Sequence, residues 1–436
     1  MQKFLLPLVL AVYGQVPAFA QAPTSSDQRS SLINVSDRNA DSPRLLTLNV
    51  VLEWALKANP DIAAAIHEVE AQEGAVRQAA ILPNPEFFVT VEDTQKSTRT
   101  TTLQINQRIE LNGKRVARMA LAERNRGYAE TELAIKRADI RAAAVTAFYD
   151  VLTSQERHQL AFASVEIAQR ASSVAAKRVI AGKISPVEET KARIAESSVR
   201  IELAQAASEL ISARKRLAAI WGSTTPQFER AEGQINLLPS LPAMNDLKQR
   251  LRQSPNFIRA RNEVERRQAM LQVERARQIP DVTFSIGAKR EEQLRRNQAI
   301  VGLSIPLPLF DRNQGNMQEA LRRTDKARDE LTATEVRLSS DLAQAHERLN
   351  AARQEAELLQ RDILPGAQSA YEAAVKGFEF GKFNFLDVLD AQRTLLQAKS
   401  QTLRTLYEAH RAAAEIDRIL GEPSSNASTM PLAIKP

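Results

Sequence analysis

Hydrophobic and polar residues alternate in two short stretches of the chain, and this period of two residues predicts β-strands. In the first stretch, about 85–112, Phe87, Val89 and Val91 lie on one face, and a second alternating run follows a polar loop. The second stretch, about 280–309, has the same design. Each stretch is therefore expected to form a β-hairpin of two strands.

The rest of the chain has the periodicity of long helices. Between about 114 and 181, and between about 314 and 380, the only proline is Pro365. Apolar residues recur at heptad spacing there, and some helices carry two apolar columns, which indicates neighbours on both sides. This arrangement favours a ring of helices over a two-stranded coiled coil. Turns containing Gly182 and Gly381 are expected to fold each long helix back on its successor.

The order of helix, hairpin and long helix pair occurs twice, and short motifs mark the duplication. Pro85 and Pro280, which open the hairpins, are separated by 195 residues, and Gly222 and Gly421, which close the repeats, by 199. A period of this length means that each copy is a large unit rather than a solenoid repeat. The predicted organisation is a first repeat at 46–222, a linker or equatorial segment at 223–243, a second repeat at 244–422 and a tail at 423–436.

The first residues have the pattern of an export signal. Lys3 precedes a short apolar run, and Ala18-Phe19-Ala20 follows as a site for signal peptidase. The run is too short to span a bilayer, so cleavage after Ala20 is expected. The polar residues 21–45 are expected to form a flexible leader. The sequence therefore predicts an exported protein with a signal peptide at 1–20.

The hairpins raise the question of what covers their apolar faces. Strands of about 9–11 residues with one apolar and one polar face are typical of a transmembrane β-barrel with a wet lumen. A small sheet packed against the helices is the alternative that the local pattern leaves open. Four strands cannot close a barrel, and an open sheet edge is not stable in lipid, so several chains would have to pool their strands. The pattern alone does not decide between two chains and three.

Composition and charge argue against other classes of protein. The 436 residues include 59 basic and 52 acidic ones, a net charge of +7, and the two signs are interleaved as on a solvated helix surface. Nucleic-acid binding is therefore not expected. Cysteine is absent, and the four histidines are scattered. His410 continues an apolar helical column and is expected to be a packed or lumen-facing helix residue rather than a ligand. No catalytic constellation, metal site or cofactor motif is present in the pattern, so an enzyme is not expected.

Taken together, these features resemble the TolC-like outer membrane efflux family over about 46–422. The duplicated helix–hairpin–helix order, Pro85 and Pro280, and the segment 387–392 carry the resemblance. Within the family, 107–115 and 306–315 are most similar to CzcC-type members that serve heavy-metal efflux pumps. The fold class implied is mainly α with a small β part, in which a duplicated coiled-coil α-barrel joins a transmembrane β-barrel completed by trimerisation.

The resemblance also implies a place and partners for the protein. A homotrimer would hold a 12-stranded barrel in the lipid of the outer membrane and extend a helical tunnel through the periplasm. There it would meet a periplasmic adaptor protein and, through it, an inner-membrane proton-driven pump of the RND type. The expected function is a passive exit duct for heavy-metal cations. A duct for organic toxicants or for type I protein secretion is the alternative, and a periplasmic scaffold without a barrel is a third possibility.

Candidate functional residues follow from the same resemblance. The acidic positions near the periplasmic constriction of the family correspond to Asp387 and Asp390, and Glu188 and Lys191 occupy the equivalent places in the first repeat. Lys191 is expected to pair with acidic neighbours in the closed state. The alternative for Asp387 is a favourable charge at a helix N-terminus. The expected contacts with the adaptor lie in the two tip turns, at Gly182, Lys183, Gly381, Lys382, Phe383 and Phe385.

One position departs from the pattern of the family. Some relatives carry a basic residue four positions before the first aspartate of the constriction, where this chain has Phe383. A gating link through that basic residue is therefore not expected in this chain.

Overall fold

The computed structural model describes residues 45–380 and 382–422, and nine helices and six strands lie within them. The predicted signal peptide, almost all of the leader and the tail fall outside the described residues. No described helix is both long enough and apolar enough to cross a membrane. The helices are α1 Leu48–Ala58, α2 Pro60–Ala79, α3 Lys114–Ile180, α4 Pro186–Ala219, α5 Met244–Leu251, α6 Pro255–Arg277, α7 Gln314–Leu358, α8 Leu364–Glu379 and α9 Phe385–Leu420. The strands are β1 Leu45–Leu46, β2 Glu86–Glu92, β3 Thr100–Ile109, β4 Arg230–Ala231, β5 Val282–Glu291 and β6 Arg296–Ser304.

Two copies of one arrangement follow each other along the chain. Helices α1 and α2, the hairpin β2–β3 and the pair α3–α4 are repeated as α5 and α6, the hairpin β5–β6 and the helices α7 to α9. Both predicted hairpins are confirmed, as is the mainly α fold class with a small β part. The two copies also share a contact at their closing glycines, since Gly222 lies against Pro60 in the first copy and Gly421 against Pro255 in the second.

The two hairpins join into one antiparallel sheet in the order β2-β3-β5-β6. The residues Phe87, Ile105, Ile286 and Val301 form one row across it. Their exposed fractions are 66%, 47%, 54% and 71%, so no helix covers this apolar face. On the opposite face, the row that begins at Glu86 continues through Asn106, Ser285 and Gly302. The alternative of a sheet packed against the helices is therefore excluded for the described chain.

The helices of one chain lie side by side in a row, with the neighbours on both sides that the double apolar columns predict. Near the sheet, each helix packs on the next in the order α2, α3, α6, α7, and at the other end the order is α4, α3, α9, α8. Helix α3 has neighbours on both sides along its 67 residues. The helices at the two ends of the row each have one packed side. The row is therefore open at both flanks.

The continuous helix predicted over 314–380 is interrupted. Between α7 and α8 the five residues Leu359–Ile363 form a π-helical turn. Pro365 stands in the first turn of α8 and has no backbone N–H, so the regular hydrogen-bond ladder cannot continue through it. A widened turn is one way in which a long helix passes such a position.

The core lies at mid-height, where the segment between the repeats crosses the helices. Strand β4 of this segment pairs in parallel with β1, and the buried Gln155 side chain binds both the N–H and the carbonyl of Ala231, at 2.8 and 3.0 Å. Farther along, His410 and His346 contact the backbone carbonyls of Ile235 and Pro242. The segment is thus held by side chains from both repeats and fixes their relative position.

Candidate constriction at the helix tips

The turn between α3 and α4 forms the first tip. Gly182 has φ +66°, a conformation that favours glycine, and its N–H binds the carbonyl of Val179 at 2.9 Å. The N–H of Lys183 binds the carbonyl of Arg178, also at 2.9 Å, which completes a Schellman-type end of α3. Ser185 then caps α4. The turn is therefore fixed by its own backbone and leaves Lys183 exposed.

The turn between α8 and α9 forms the second tip and contains an aromatic contact. The N–H groups of Lys382 and Phe383 both point to the carbonyl of Gly377, at 2.7 and 3.2 Å. The Phe383 ring lies on Gly377 so closely that a Cβ there would come within 2.1 Å of it. Phe383 still keeps 48% of its surface exposed. Gly381 lies outside the described residues, and Phe385 is the first residue of α9.

Asp387 takes part in a capping box at the start of α9. Its backbone N–H donates to Oδ1 of Asn384 at 3.0 Å, and its carboxylate accepts the N–H of Asn384 at 3.0 Å. Both bonds satisfy groups that a helix N-terminus leaves unpaired. The observed bonds therefore support the alternative role of Asp387, in which its carboxylate stabilises the N-terminus of α9.

Lys191 and Asp390 line one groove. It lies between α4 and α9, has a volume of about 970 Å³, and is floored by small residues of α3, among them Ala161 and Ala168. Arg393 also lines it, whereas Glu188 and Asp387 do not. In the described chain, the side chains of Lys191 and Asp390 have no ion-pair partner within 4.0 Å. The structure thus brings one basic and one acidic candidate together without pairing them.

A contact between the two tips was not predicted from the sequence. The Arg178 guanidinium at the end of α3 stacks over the Phe378 ring of α8, 3.9 Å from its centroid. Phe378 also packs against a small cluster built on Ala175 and Ala192. The available signal was the density of phenylalanine in the second tip, which has four of the 14 phenylalanines within 378–385.

No three His, Cys, Asp or Glu side chains within the described ranges are placed to hold a metal ion. His67 is exposed and pairs with Glu70 on one helix face. His410 is buried and stacked on Tyr149, with ring centroids 3.6 Å apart. Its burial lowers the pKa from 6.5 to about 4. Of the packed and lumen-facing positions expected for His410, the structure has the packed one.

Comparison with known proteins gives a consistent result. A sequence model described as outer membrane efflux protein matches residues 51–223 and 247–422. The cobalt-zinc-cadmium resistance protein CzcC of Cupriavidus metallidurans is 49% identical over 421 residues, which cover 97% of this chain and 100% of that protein. The nickel-cobalt-cadmium resistance protein NccC of Alcaligenes xylosoxydans xylosoxydans is 30% identical over 68% of each chain.

The fold also has relatives among solved structures. A crystal structure of CusC, described in terms of transmembrane channel formation, superposes with a TM-score of 0.73 over 86% of this chain and 92% of that one. Sequence identity in this comparison is 18%, so the likeness concerns the fold alone.

Proposed function

Because the chain belongs to the outer membrane efflux protein family, we propose that it is the outer membrane duct of a heavy-metal cation efflux system. The observation that carries this proposal is the 49% identity to a cobalt-zinc-cadmium resistance protein along nearly the whole chain. The family consists of channel proteins, and the duct acts passively, without catalysis. Cobalt, zinc and cadmium are the cations that the relative's name suggests as cargo.

The sheet supports a membrane location for this duct. Its apolar face is exposed in a single chain, and burial of such a face in lipid removes the cost of exposing it to water. The outer strands β2 and β6 pair with β3 and β5 on one side, and the outer edge of each has no partner strand in the described chain. A homotrimer would pair these edges and give 12 strands, a closed barrel with a polar lumen. The signal peptide, cleaved after Ala20, would direct the chain to the outer membrane.

The helix row supports a tunnel that continues from the barrel. Its open flanks, formed by α2 and α4 on one side and by α7 and α8 on the other, would meet in neighbouring copies. The tips then face the periplasm. They contact a periplasmic adaptor through Gly182, Lys183, Gly381, Lys382, Phe383 and Phe385, and the adaptor connects the duct to an inner-membrane RND-type pump.

A constriction at the tips completes the proposal. Asp387 and Asp390 would each form a ring of three carboxylates in the trimer, which attracts cations as other acidic pore rings do. Lys191 has no acidic partner in its own described chain, so its pairing would use a carboxylate of a neighbouring copy. Glu188 lies in the first turn of α4, at the first tip, and is the acidic group proposed for the constriction from the first repeat.

The test is cation retention in cells that lack this protein. Cells without the gene are loaded with zinc, cobalt and cadmium, and an organic dye is followed in parallel. We expect raised metal retention with normal dye export, restored by the intact gene. Raised dye retention with normal metal retention would instead assign the duct to organic toxicants and contradict the metal assignment.

A further inference from the structure

The apolar alternation of the sheet continues beyond its last strand. Strand β6 ends at Ser304, yet Ile305 and Leu307 keep the spacing of its apolar face. Their exposed fractions are 49% and 74%, and the edge of β6 next to them has no partner strand in the described chain. On the other side of the sheet, β2 is the second free edge, and all seven of its residues are exposed. Each of these two edges therefore needs another β-strand as its partner.

The internal duplication relates the free edges to a pair of strands that is already formed. Strand β6 repeats β3, because Leu303 and Ile305 follow Leu103 and Ile105 by 200 residues. Strand β2 is in turn the counterpart of β5, with the separation of 195 residues that relates Pro85 to Pro280. The contact of β3 with β5 joins the first repeat to the second. In a ring of copies, the contact of β6 with β2 joins the second repeat to the next first one.

The register of the β3–β5 pair can therefore be applied to the contact of β6 with β2 of the next copy. In the chain, Ile105 lies opposite Ile286, and Gln107 lies opposite Phe284. The counterpart of Ile286 is Val91 and that of Phe284 is Val89. We infer that β6 and its extension pair antiparallel with β2 of the next copy, Ile305 opposite Val91 and Leu307 opposite Val89. This inference rests on the pooled barrel of the proposed function and specifies the seam between its copies.

The chemistry of the extension fits this register. In an extended chain successive N–H groups point to opposite edges, so the absent donors of Pro306 and Pro308 fall on one edge and the donors of Ile305 and Leu307 on the other. The edge that carries the N–H groups of Ile305 and Leu307 thus keeps the backbone donors needed to pair with a neighbouring strand. At Pro308 the N–H of Leu309 turns back to the carbonyl of Leu307 at 2.9 Å, which ends the extended run there.

The stagger of the sheet fits as well. A row that begins at Glu86 passes through Asn106 to Ser285, and the counterpart of Ser285 in the first repeat is Thr90. From one repeat to the next, the row is therefore displaced by four residues along the equivalent strand, from the position of Glu86 to that of Thr90. A constant stagger of this kind tilts strands and is required for a sheet to close into a barrel. The proposed seam continues the same stagger.

Cysteine cross-linking in the full-length protein tests the register, and the chain has no cysteine of its own. The double variant Val91→Cys with Ile305→Cys is oxidised in outer membranes and run on non-reducing gels. We expect a shift of the chain from monomer to covalent trimer. The matched controls are Val91→Cys with Leu303→Cys and Val91→Cys with Leu307→Cys, which shift the register by two residues in either direction. Diagonal pairs of this kind lie about 7–8 Å apart and are too distant for a disulfide.

Heat-resistant, non-covalent trimers of each variant are measured on the same gels. Cross-linking of a control pair in place of the Val91–Ile305 pair overturns the register. Non-covalent trimers in which none of the three pairs cross-links also overturn it, although the pooled barrel stands. If the unmodified protein forms no trimer at all, the pooled barrel of the proposed function fails, and the inference fails with it.

Discussion

At the scale of single residues, the buried His410 makes stability depend on pH. Its ring stacks on Tyr149 and reaches the carbonyl of Ile235, and burial lowers its pKa from 6.5 to about 4. Between these values the unfolded chain binds a proton that the folded chain does not, so stability falls as the pH drops. We expect a loss of about 2 kcal/mol per chain from pH 7 to pH 5 through this group.

The measurement is the unfolding temperature of the purified protein at pH 7 and pH 5. His410→Gln should reduce the difference between the two temperatures, because the titrating group is removed. His67→Gln is the control for the loss of a histidine, since His67 lies exposed on the surface of α2. An unchanged difference in His410→Gln would contradict the assignment.

Gly287 is a second residue with a defined spatial role. It lies on the polar face of β5, where a Cβ would come within 2.5 Å of the Leu103 carbonyl oxygen in β3. Gly287→Ala should push apart the strands that join the two repeats, at a cost of about 1–3 kcal/mol. We expect heat-resistant oligomers to dissociate at a lower temperature. Gly302→Ala is the matched control, because its Cβ would meet Ser285 at an ordinary 3.5 Å. Equal behaviour of the two variants would contradict the argument.

At the scale of elements, the start of α9 separates the helix cap from the carboxylate proposed for the constriction. Asp387 belongs to the capping box with Asn384, whereas the carboxylate of Asp390 lines the groove without an ion-pair partner within 4.0 Å in the described chain. Asp390→Asn should therefore reduce the cation preference of the duct without fraying the helix. In planar bilayers with a salt gradient, we expect the reversal potential to move towards zero.

The control for this prediction is Asn384→Ala. It removes the cap, at a cost of about 1 kcal/mol, but keeps every carboxylate, so the reversal potential should stay at its original value. A reversal potential unchanged by Asp390→Asn would show that this carboxylate does not set the ion preference.

The elements also show where sequence reasoning succeeds and where it stops. Alternation at Phe87, Val89 and Val91 fixed strand type and face, because a period of two leaves one choice of face. Pro365 was noted within a helix that was predicted to be continuous, and the π-helical turn before it was not predicted. The contact of Arg178 with Phe378 joins residues 200 positions apart, and no local pattern encodes it.

At the scale of the whole molecule, duplication was the most informative signal in the sequence. The spacing of Pro85 and Pro280 predicted two equivalent halves, and the structure has them. The pairing of β3 with β5 could not be predicted in the same way, because a hairpin pattern states which strands are adjacent within a turn and not which hairpins meet. Of the candidate constriction, the sequence placed Lys191 and Asp390 on equivalent helices but did not indicate that they line a common groove.

The π-helical turn has a mechanical consequence for the two halves. Helix α3 is continuous over 67 residues. Its counterpart in the second repeat, α7 followed by α8, is interrupted by the π-helical turn Leu359–Ile363. Bending stiffness is lowest where the hydrogen-bond ladder is irregular, so a sideways force at the tips is absorbed at this turn. The segment below this turn is α8, whereas α9 runs unbroken beside it. Deflection is therefore larger at the end of α8, next to Phe383, than at the end of α3.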